Sequence, residues 1–306
     1  MVKNLLPNFF IAGAAKCGTS SLDRYLGQHP QIFIPPKKEA HYYSIPSFPN
    51  QFKGPGDDGM NLYTIREKEA YYELFSGAEG YQAVGESSVF YLYYPGTAER
   101  IHRENPDAKI IVLLRNPVDR AFSAYMHLVR DERESLSFEH GLEQEEKRKH
   151  MDFEPMWLYK ELGLYSNQVR HYFEVFGSNQ VKVILFEEFI RDTEAMVAEV
   201  LDFLGVAPEF RVDTSLQLNE SGKPKSRWVY NFISKPNPLK ELVKPLVPNG
   251  IRERLGIKAK SMVLEKVAMK PETRTQLQAY FAEDIAKLEC LLDRDLSVWQ
   301  KRSNAG

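Results

Sequence analysis

The segment from Phe9 to Leu22, with the sequence FFIAGAAKCGTSSL, constrains the fold of this chain more than any other part of it. A short apolar strand leads into a loop of small residues with one lysine, and then into a helix that opens with hydroxyl side chains. Small residues let the backbone close around an anion, while loop N–H groups and the positive end of the helix dipole face it. The Lys16 ammonium adds a point charge. The segment therefore predicts a phosphate-binding loop.

The position of the lysine separates this loop from that of the nucleotide triphosphatases. In the motif G-x-x-x-x-G-K-[ST], the lysine directly follows the second glycine. Here Gly13 and Gly18 have the required spacing, but Thr19 occupies the lysine position and Lys16 lies inside the loop. A second apolar strand, KIIVLL, would end in an acidic residue if it held magnesium, yet Arg115 follows it. These departures indicate a nucleotide bound without a metal and disfavour an ATP kinase.

Two motifs resemble those of a known enzyme family. AAKCGTSSL resembles the 5′-phosphosulfate loop of sulfotransferases that use 3′-phosphoadenosine 5′-phosphosulfate (PAPS), and LLRNPVDRAFSAY is similar to their 3′-phosphate motif, in the same order and at a similar separation. KKEAHYYS resembles the segment after the first helix in heparan-sulfate-type and bacterial members. Weaker likeness extends over nearly the whole chain. The resemblance implies in-line transfer of a sulfuryl group from PAPS to a hydroxyl acceptor, with PAP as product and no metal.

Strand and helix signals alternate along the 306 residues, of which 43% are hydrophobic, enough for a substantial core. We predict an α/β, P-loop-like three-layer fold in which helices flank a central, mainly parallel sheet. The predicted strands are residues 8–12, 83–85, 109–114 and 181–186. Because no clear boundary interrupts the pattern, residues 1–306 are expected to form a single sulfotransferase domain.

Several helix boundaries are also indicated by the sequence. Pro117 suits a first helical turn, and Gly27 and Gly205 are expected to end two amphipathic helices. Apolar residues recur at helical spacing between positions 277 and 292, which predicts a last helix docked on the core.

Three segments lack such regular patterns. Residues 45–63 hold several Pro and Gly residues and are predicted to be a surface loop. Residues 131–151 are densely charged, which indicates a solvated helix or, as the alternative, a mobile flap. Residues 219–256, rich in Lys and Pro, resemble a loop that covers the cofactor or substrate.

Charge and composition limit the cellular compartments and the classes of partner that suit this chain. A net charge of −2 does not suit a general nucleic-acid binder. The N-terminal segment is too soon interrupted by Pro7 for a signal peptide, and no apolar run is long enough to insert into a membrane. Two cysteines are too few for a disulfide framework. We therefore expect a cytoplasmic protein without nucleic-acid partners; its oligomeric state cannot be deduced from the sequence.

For the 5′ end of the cofactor, the resemblance assigns both binding and catalysis to the loop. Sulfuryl transfer builds negative charge on the leaving phosphate oxygen, so it needs a donor there. Lys16 is the expected donor to that oxygen. The residues expected to hold the 5′-phosphate are Cys17, Gly18, Thr19, Ser20 and Ser21. Cys17, near a lysine and a helix N-terminus, has either a lowered pKa or a plain packing role.

At the 3′ end, Arg115 follows a buried strand, at the edge where open α/β sheets bind ligands, and offers a planar fork to phosphate oxygens. Ser123 on the next helix is expected to add a hydroxyl. Arg120 is either a further phosphate ligand or a partner of Asp119.

The resemblance also suggests a basic cofactor-covering loop containing Lys223, Lys225 and Arg227. A cluster of solvated charges remains the alternative reading of these three residues.

The catalytic base has more than one candidate. Glu39 takes the position of the catalytic carboxylate of heparan-sulfate-type members, and His41, two residues on, projects to the same face of an extended segment. Histidine has the better ordinary pKa for a base, whereas Glu39 would need its pKa raised by burial. Lys38 could instead pair with Glu39 and keep it structural, and His127 is a further candidate.

One position departs from the family pattern. In GESSVFY, Ser87 stands where several members carry a second active-site lysine, so activation depends more on Lys16 or on a lysine from another loop. Glu86 in the same segment either contacts the acceptor or forms a buried ion pair.

Two other functional classes and the acceptor remain open at this point. The alternatives are a P-loop nucleotide kinase and a non-catalytic nucleotide-binding module. The acceptor is expected to be a small metabolite, a carbohydrate or a carrier-bound substrate, and the near-neutral charge argues against long polyanionic sugars. Aromatic residues that either line its pocket or belong to the core are Tyr42, Tyr43, Phe90, Tyr91, Tyr93 and Tyr94.

Overall fold

Five parallel strands form the central sheet of the chain. A computed structural model describes residues 6–214, 223–224, 264–265 and 267–299. The strands are β1 (Phe9–Gly13), β2 (Ile32–Phe33), β3 (Ala83–Ser87), β4 (Lys109–Leu114) and β5 (Val181–Leu185). Their order across the sheet is β2-β3-β1-β4-β5, and every neighbouring pair is parallel. The predicted α/β class with a parallel sheet is confirmed.

Helices surround this sheet. Their bounds are α1 Thr19–Leu26, α2 Asp58–Tyr63, α3 Lys68–Glu73, α4 Thr97–Glu104, α5 Pro117–Arg130, α6 Phe138–Glu143, α7 Glu145–His150, α8 Tyr165–Phe176, α9 Phe186–Arg191, α10 Thr193–Leu204 and α11 Pro271–Leu292. Short 3₁₀ helices span Tyr42–Ser47, Pro155–Trp157, Glu161–Gly163 and Ser297–Trp299. A separate antiparallel pair joins β6 (Lys223–Pro224) to β7 (Leu264–Glu265).

The core strands follow from their composition. From Ile110 to Leu114, β4 consists of fully buried apolar residues, as expected for a strand covered on both faces. The predicted bounds of β4 are confirmed, while β3 continues two residues beyond its predicted end, through Glu86 and Ser87. The strand β2 was not predicted, because two residues are too few to show a period.

The predicted helix ends are confirmed. Pro117 is the first residue of α5, where its missing N–H costs nothing, and the Asn116 side chain accepts a hydrogen bond from the Val118 N–H at 3.0 Å. Gly27 follows the last residue of α1, and Gly205 ends α10 with a φ of 79°, in the left-handed region that favours glycine. These caps place the start of α5 next to the end of β4.

The C-terminal helix docks on the core as predicted. Leu277, Phe281, Ile285 and Leu288 of α11 are buried. The Asp284 carboxylate accepts a hydrogen bond from the Tyr165 N–H at 2.7 Å, which ties α11 to the start of α8.

Two segments differ from their predicted character. Residues 45–63 contain α2 and the fully buried Asp57, so they are more than a surface loop. Residues 131–137 are irregular and are followed by α6 and α7, so the segment 131–151 is not one solvated helix. In this segment Glu134 and Arg148 are buried as an ion pair of 2.7 Å. Ion pairing within the segment lets these charged groups lie against the core.

Some of the sequence predictions concern residues that the structure does not describe. The segment 219–256 lies almost wholly outside the described residues, as do Lys225, Arg227 and the side chain of Lys223. The single-domain assignment stays a prediction. Within residues 6–214 and 267–299, no helix combines the length and apolarity that a bilayer crossing requires.

Candidate functional site

A cleft of about 430 Å³ opens at the carboxyl edge of the sheet, where α/β folds bind ligands. Its first half is lined by the loop after β1, by the residue after β4 and by one face of α5. The lining residues of this half are Ala15, Lys16, Gly18, Thr19, Ser20, Ser21, Arg115, Ser123 and His127. The sequence-predicted groups for both phosphate ends of the cofactor therefore meet in one cavity.

The loop after β1 has the backbone shape of an anion cradle. Lys16 and Gly18 have φ values of 72° and 92°, and Gly18 precedes α1 with no side chain capping the helix N-terminus. A Cβ at Gly18 would lie 3.1 Å from the Phe186 ring, so the close approach of α9 adds to the need for glycine. The Ala14 N–H donates to the Leu113 carbonyl at 2.8 Å, which fixes the loop against β4.

Lys16 is half-buried at the floor of the cleft. Burial is the main cause that lowers the pKa of Lys16 to about 8; the Arg130 charge lowers it further and the Asp131 charge opposes it. The Arg115 guanidinium donates to the Lys16 carbonyl over 3.5 Å. The lysine is thus protonated at neutral pH yet close to its titration range.

Cys17 faces the core instead of the cleft. Its Sγ lies 3.8 Å from the Tyr165 hydroxyl, and the residue is fully buried. Burial raises the pKa of the Cys17 thiol to about 11, which favours the packing role over a lowered pKa, its alternative. Packing explains this small residue, and only its backbone remains available for an anion.

Arg115 and Ser123 both line the first half of the cleft. The guanidinium carbon of Arg115 is 4.8 Å from the centre of the Phe186 ring, which holds the guanidinium over the first residue of α9. Ser123 is buried on α5 and borders the same space. The position of Arg115 directly after β4 made this pairing predictable.

Arg120 has neither of its two predicted roles. It is fully buried outside the cleft and donates a hydrogen bond to the Tyr159 carbonyl. Asp119 instead forms an ion pair of 2.6 Å with Arg274 of α11.

Glu39 and His41 line the same cleft as the phosphate loop. The Glu39 Oε2 atom accepts a hydrogen bond from the Val89 N–H at 2.9 Å and lies 3.2 Å from His41 Nε2. Burial by itself raises the pKa of Glu39, but the hydrogen bond from His41 and the Lys38 charge outweigh it. The pKa of Glu39 is therefore lowered, so the raised pKa that a base at this position would need is not present.

His41 is held in place by the segment after β3. His41 is 2% exposed, and its backbone N–H donates to the Ser88 hydroxyl oxygen at 2.9 Å. The Ser88 hydroxyl donates in turn to Glu86 Oε1 at 2.5 Å. Burial raises the pKa of Glu86 to about 8. Through Ser88, this carboxyl group helps to hold His41 in place. Neither an acceptor contact nor a buried ion pair, the two alternatives for Glu86, is among its described contacts.

Lys38 connects the two sides of the site, a role that the sequence analysis did not assign. Its Nζ lies 3.0 Å from the Ser20 Oγ atom and 3.9 Å from Glu39 Oε1. The position of Lys38 directly before Glu39 was the sequence signal that could have indicated this role. Ser87, at the position of the family's second lysine, is buried and carries no charge.

His127 borders the first half of the cleft as a neutral ring. Burial and the charges of Lys16 and Arg130 lower the pKa of His127 to about 3. Its Nδ1 accepts a hydrogen bond from Arg130 at 2.6 Å, which leaves Nε2 as the protonated nitrogen. A ring with this pKa is a weak base.

The second half of the cleft was largely missed by the sequence analysis. We call the side chains that form its surface the apolar wall: Met60, Tyr63, Val89, Phe90 and Met156. Gly56, Gly59, Arg133 and Glu154 complete this half. No local pattern marks these residues, because they come from α2, the segment after β3 and the segment around the 3₁₀ helix Pro155–Trp157.

The aromatic candidates divide between cleft and core. Phe90 belongs to the apolar wall, whereas Tyr43 and Tyr91 are buried in the main core and Tyr42 stacks on Tyr71 at 4.2 Å between ring centres. Tyr93 and Tyr94 pack behind the apolar wall.

Among the described residues, no group of three or more His, Cys, Asp or Glu side chains is arranged to hold a metal ion. The absence of a metal from the reaction stays a prediction.

Comparisons with known proteins identify the family of the chain. The model of the sulfotransferase family matches residues 7–209. A crystal structure of a sulfotransferase from Alicyclobacillus acidocaldarius is 52% identical, covers 97% of this chain and 100% of its own, and superposes with a TM-score of 0.79.

Two curated relatives extend the comparison. The membrane-associated sulfotransferase kil1 of Dictyostelium discoideum is 36% identical over 146 residues, which are 46% of this chain and 28% of that protein. The human heparan sulfate glucosamine 3-O-sulfotransferase 6 is 26% identical over 205 residues, which are 65% of this chain and 52% of that protein. The chain thus spans between about a quarter and about half of the length of these relatives.

Proposed function

Because the chain belongs to the sulfotransferase family, we propose that it transfers the sulfuryl group of PAPS to the hydroxyl of an acceptor. One observation carries this proposal: a single cleft joins the phosphate loop, Arg115 and Ser123 to the Glu39–His41 pair. Anion donors and a candidate base thus face one space, as a group transfer between two bound molecules requires.

The donor set of the first half fits a nucleotide with separate phosphate groups at its two ends. Lys16 lines the cleft beside the uncapped N-terminus of α1, and Arg115 and Ser123 add a guanidinium and a hydroxyl from the end of β4 and from α5. An ammonium, a guanidinium and several hydroxyls supply cations and donors directly, which suits the predicted metal-free binding. The 3′-phosphate, which distinguishes PAPS from ATP, is assigned to Arg115 and Ser123.

The reaction needs a donor at the leaving oxygen and a base at the incoming hydroxyl. The acceptor oxygen forms a bond to sulfur as the bond between sulfur and the bridging phosphate oxygen breaks, and PAP leaves with that oxygen. Lys16 stabilises the negative charge on this oxygen. Lys38, which reaches Ser20, is the candidate for the second lysine that Ser87 does not supply.

Glu39 suits the role of base better than His41. Its side chain is 31% exposed, so the carboxylate is open to an incoming hydroxyl, whereas His41 is not. The lowered pKa keeps Glu39 ionised at neutral pH but also makes it a weaker base, so access and not basicity favours this residue. His41 is nearly enclosed, and its Nε2 is directed at Glu39, so the ring positions the carboxylate.

The first experiment is a calorimetric titration of the chain with PAP, ADP and magnesium-ATP. Micromolar PAP binding without metal, with ADP much weaker, supports the proposal, because only the 3′-phosphate distinguishes the first two ligands. Equal or better binding of magnesium-ATP would support a kinase instead.

A second assay separates catalysis from binding. The chain is incubated with PAPS and a mixed panel of hydroxyl compounds, and PAP release is measured. PAP binding without any acceptor-dependent release of PAP would support a non-catalytic nucleotide-binding module.

A further inference from the structure

We propose that the acceptor is an uncharged, largely apolar alcohol or phenol, bound against the apolar wall. This inference rests on the proposed function and concerns the second half of the same cleft. It excludes acidic sugar chains as the preferred acceptor class.

The apolar wall begins next to the phosphate loop. Ala15, which precedes Lys16, belongs to a buried apolar cluster with Phe90, Leu158 and Leu162, separate from the main core. Met60, Val89 and Met156 of the wall pack against this cluster. The apolar surface is therefore continuous up to the residue beside the lysine that faces the leaving oxygen.

The same wall also holds the proposed base. The Phe90 ring stacks on the His41 ring with 5.3 Å between centres and 19° between planes. The Val89 N–H donates to Glu39 Oε2 at 2.9 Å. Because the wall directly adjoins Glu39, an acceptor whose hydroxyl reaches this carboxylate must lie against these apolar side chains.

The charged groups beside the wall are paired with one another. Arg133 forms an ion pair of 2.7 Å with Glu154 and a second ion pair with Asp57. Asp57 is fully buried and also accepts a hydrogen bond from Trp157 Nε1 at 3.0 Å. Of the described residues that line this half, Arg133 is the one arginine or lysine, and both of its ion pairs are already made.

These contacts disfavour an anionic acceptor. A carboxylate or sulfate entering this half would lose hydration without gaining an available counter-ion. A sugar ring would also place several hydroxyls against methionine and aromatic side chains, where they lack hydrogen-bond partners. An alcohol or phenol without other polar groups has a single hydroxyl, which donates to Glu39 in place of water, and the rest of its surface gains buried apolar contact.

The test compares two matched phenols and one sugar under saturating PAPS. 4-Propylphenol and 3-(4-hydroxyphenyl)propionate differ by a remote carboxylate, and N-acetylglucosamine represents a neutral sugar. We expect kcat/KM for 4-propylphenol to exceed that for each of the other two at least tenfold.

The variant Met156→Lys supplies the missing cation. It should reduce the preference for 4-propylphenol over the carboxylate at least threefold, and Met60→Lys serves as a second test if the first variant does not fold. Met151→Lys makes the same change at an exposed methionine that does not line this cleft and should leave the preference unchanged.

The outcomes separate this inference from the proposed function. A wild-type preference for the carboxylate or the sugar overturns the apolar acceptor class and leaves sulfuryl transfer in place. Micromolar PAP binding with no transfer to 4-propylphenol overturns it as well. Absence of PAP binding contradicts the proposed function itself.

Discussion

At the scale of single residues, the site depends on how burial changes the charge of its side chains. Lys16 has its pKa lowered to about 8, mainly by burial, while the pKa of Glu39 is lowered by its partners in spite of burial. Near neutral pH, the donor is thus protonated and the base is ionised.

The pH profile should report the titration of Lys16. Because the free enzyme loses this proton above pH about 8, kcat/KM for PAPS should fall above that pH. The value of kcat should stay constant up to a higher pH. A bound anion raises the pKa of a neighbouring ammonium, which accounts for the difference. Steady-state kinetics between pH 6 and pH 10 measure both profiles.

The variant Lys16→Arg is the control for this profile. A guanidinium stays charged throughout the range, so the variant should lose the alkaline decline whatever its absolute rate. An unchanged alkaline decline in Lys16→Arg would assign the titration to another group.

Removal of the lysine charge should be costly. Loss of one donor at a developing oxyanion typically costs about 10²–10³ in rate, so we expect Lys16→Ala to lower kcat by that factor. The control Lys287→Ala changes an exposed lysine of α11 and should retain normal turnover. Near-normal kcat in Lys16→Ala would remove this residue from catalysis.

The base assignment predicts a division between binding and turnover. Glu39→Gln keeps the size of the side chain but cannot take a proton, so kcat should fall by about 10²–10⁴ while the Kd for PAP changes little. Single-turnover kinetics and PAP calorimetry measure the two effects.

The neighbouring histidine provides the comparison. Because His41 positions the carboxylate, His41→Asn should cost less in kcat than Glu39→Gln. The reverse ranking would make His41 the base.

At the scale of elements, the end of β3 and the segment that follows it hold the proposed base in place and line the cleft. Glu86 at the end of β3 accepts a hydrogen bond from Ser88, which in turn accepts one from the N–H of His41. Val89 and Phe90 continue the chain into the apolar wall. One short segment thus orients the proposed base and forms part of the acceptor surface.

Glu86 should make stability decrease with rising pH. Burial raises the pKa of Glu86 from 4.5 to about 8, so the folded state binds a proton that the unfolded chain has released. This contribution is complete below pH 4.5 and is lost as the pH rises towards 8. Between pH 5 and pH 8, the wild type should lose roughly 2 kcal/mol or more of unfolding free energy relative to Glu86→Gln.

Urea denaturation of both proteins at pH 5 and pH 8 measures this difference. The comparison cancels the other titrating groups, which the two proteins share. Parallel pH dependence in wild type and variant would mean that Glu86 ionises normally in the folded protein.

Some of these elements could be predicted from the sequence alone. The strand β4, Arg115 directly after it and Pro117 at the start of α5 follow from a continuous apolar run and a residue with a fixed φ. Such signals act over a few residues. The strand β2 offers no comparable signal, because its two residues depend on pairing with β3.

At the scale of the whole molecule, the two halves of the cleft differ in how they could be predicted. The phosphate half comes from segments whose local pattern already indicates anion binding. The acceptor half brings together Asp57, Arg133 and Glu154, and contacts among them join residues 76 and 97 positions apart. Residues 131–151 therefore seemed solvated in the sequence, although the fold pairs several of their charges with distant partners.

The sequence by itself determined the parallel α/β class, the phosphate loop and the placement of Arg115 and Ser123 at the same end of the sheet. These depend on local periodicity, on glycine and proline conformations and on the rule that parallel strands end at a common edge. Only the tertiary structure decided that Cys17 faces the core, that Lys38 reaches Ser20 and that the apolar wall adjoins Glu39. Side-chain direction, burial and pKa arise from groups that approach one another only after the chain has packed.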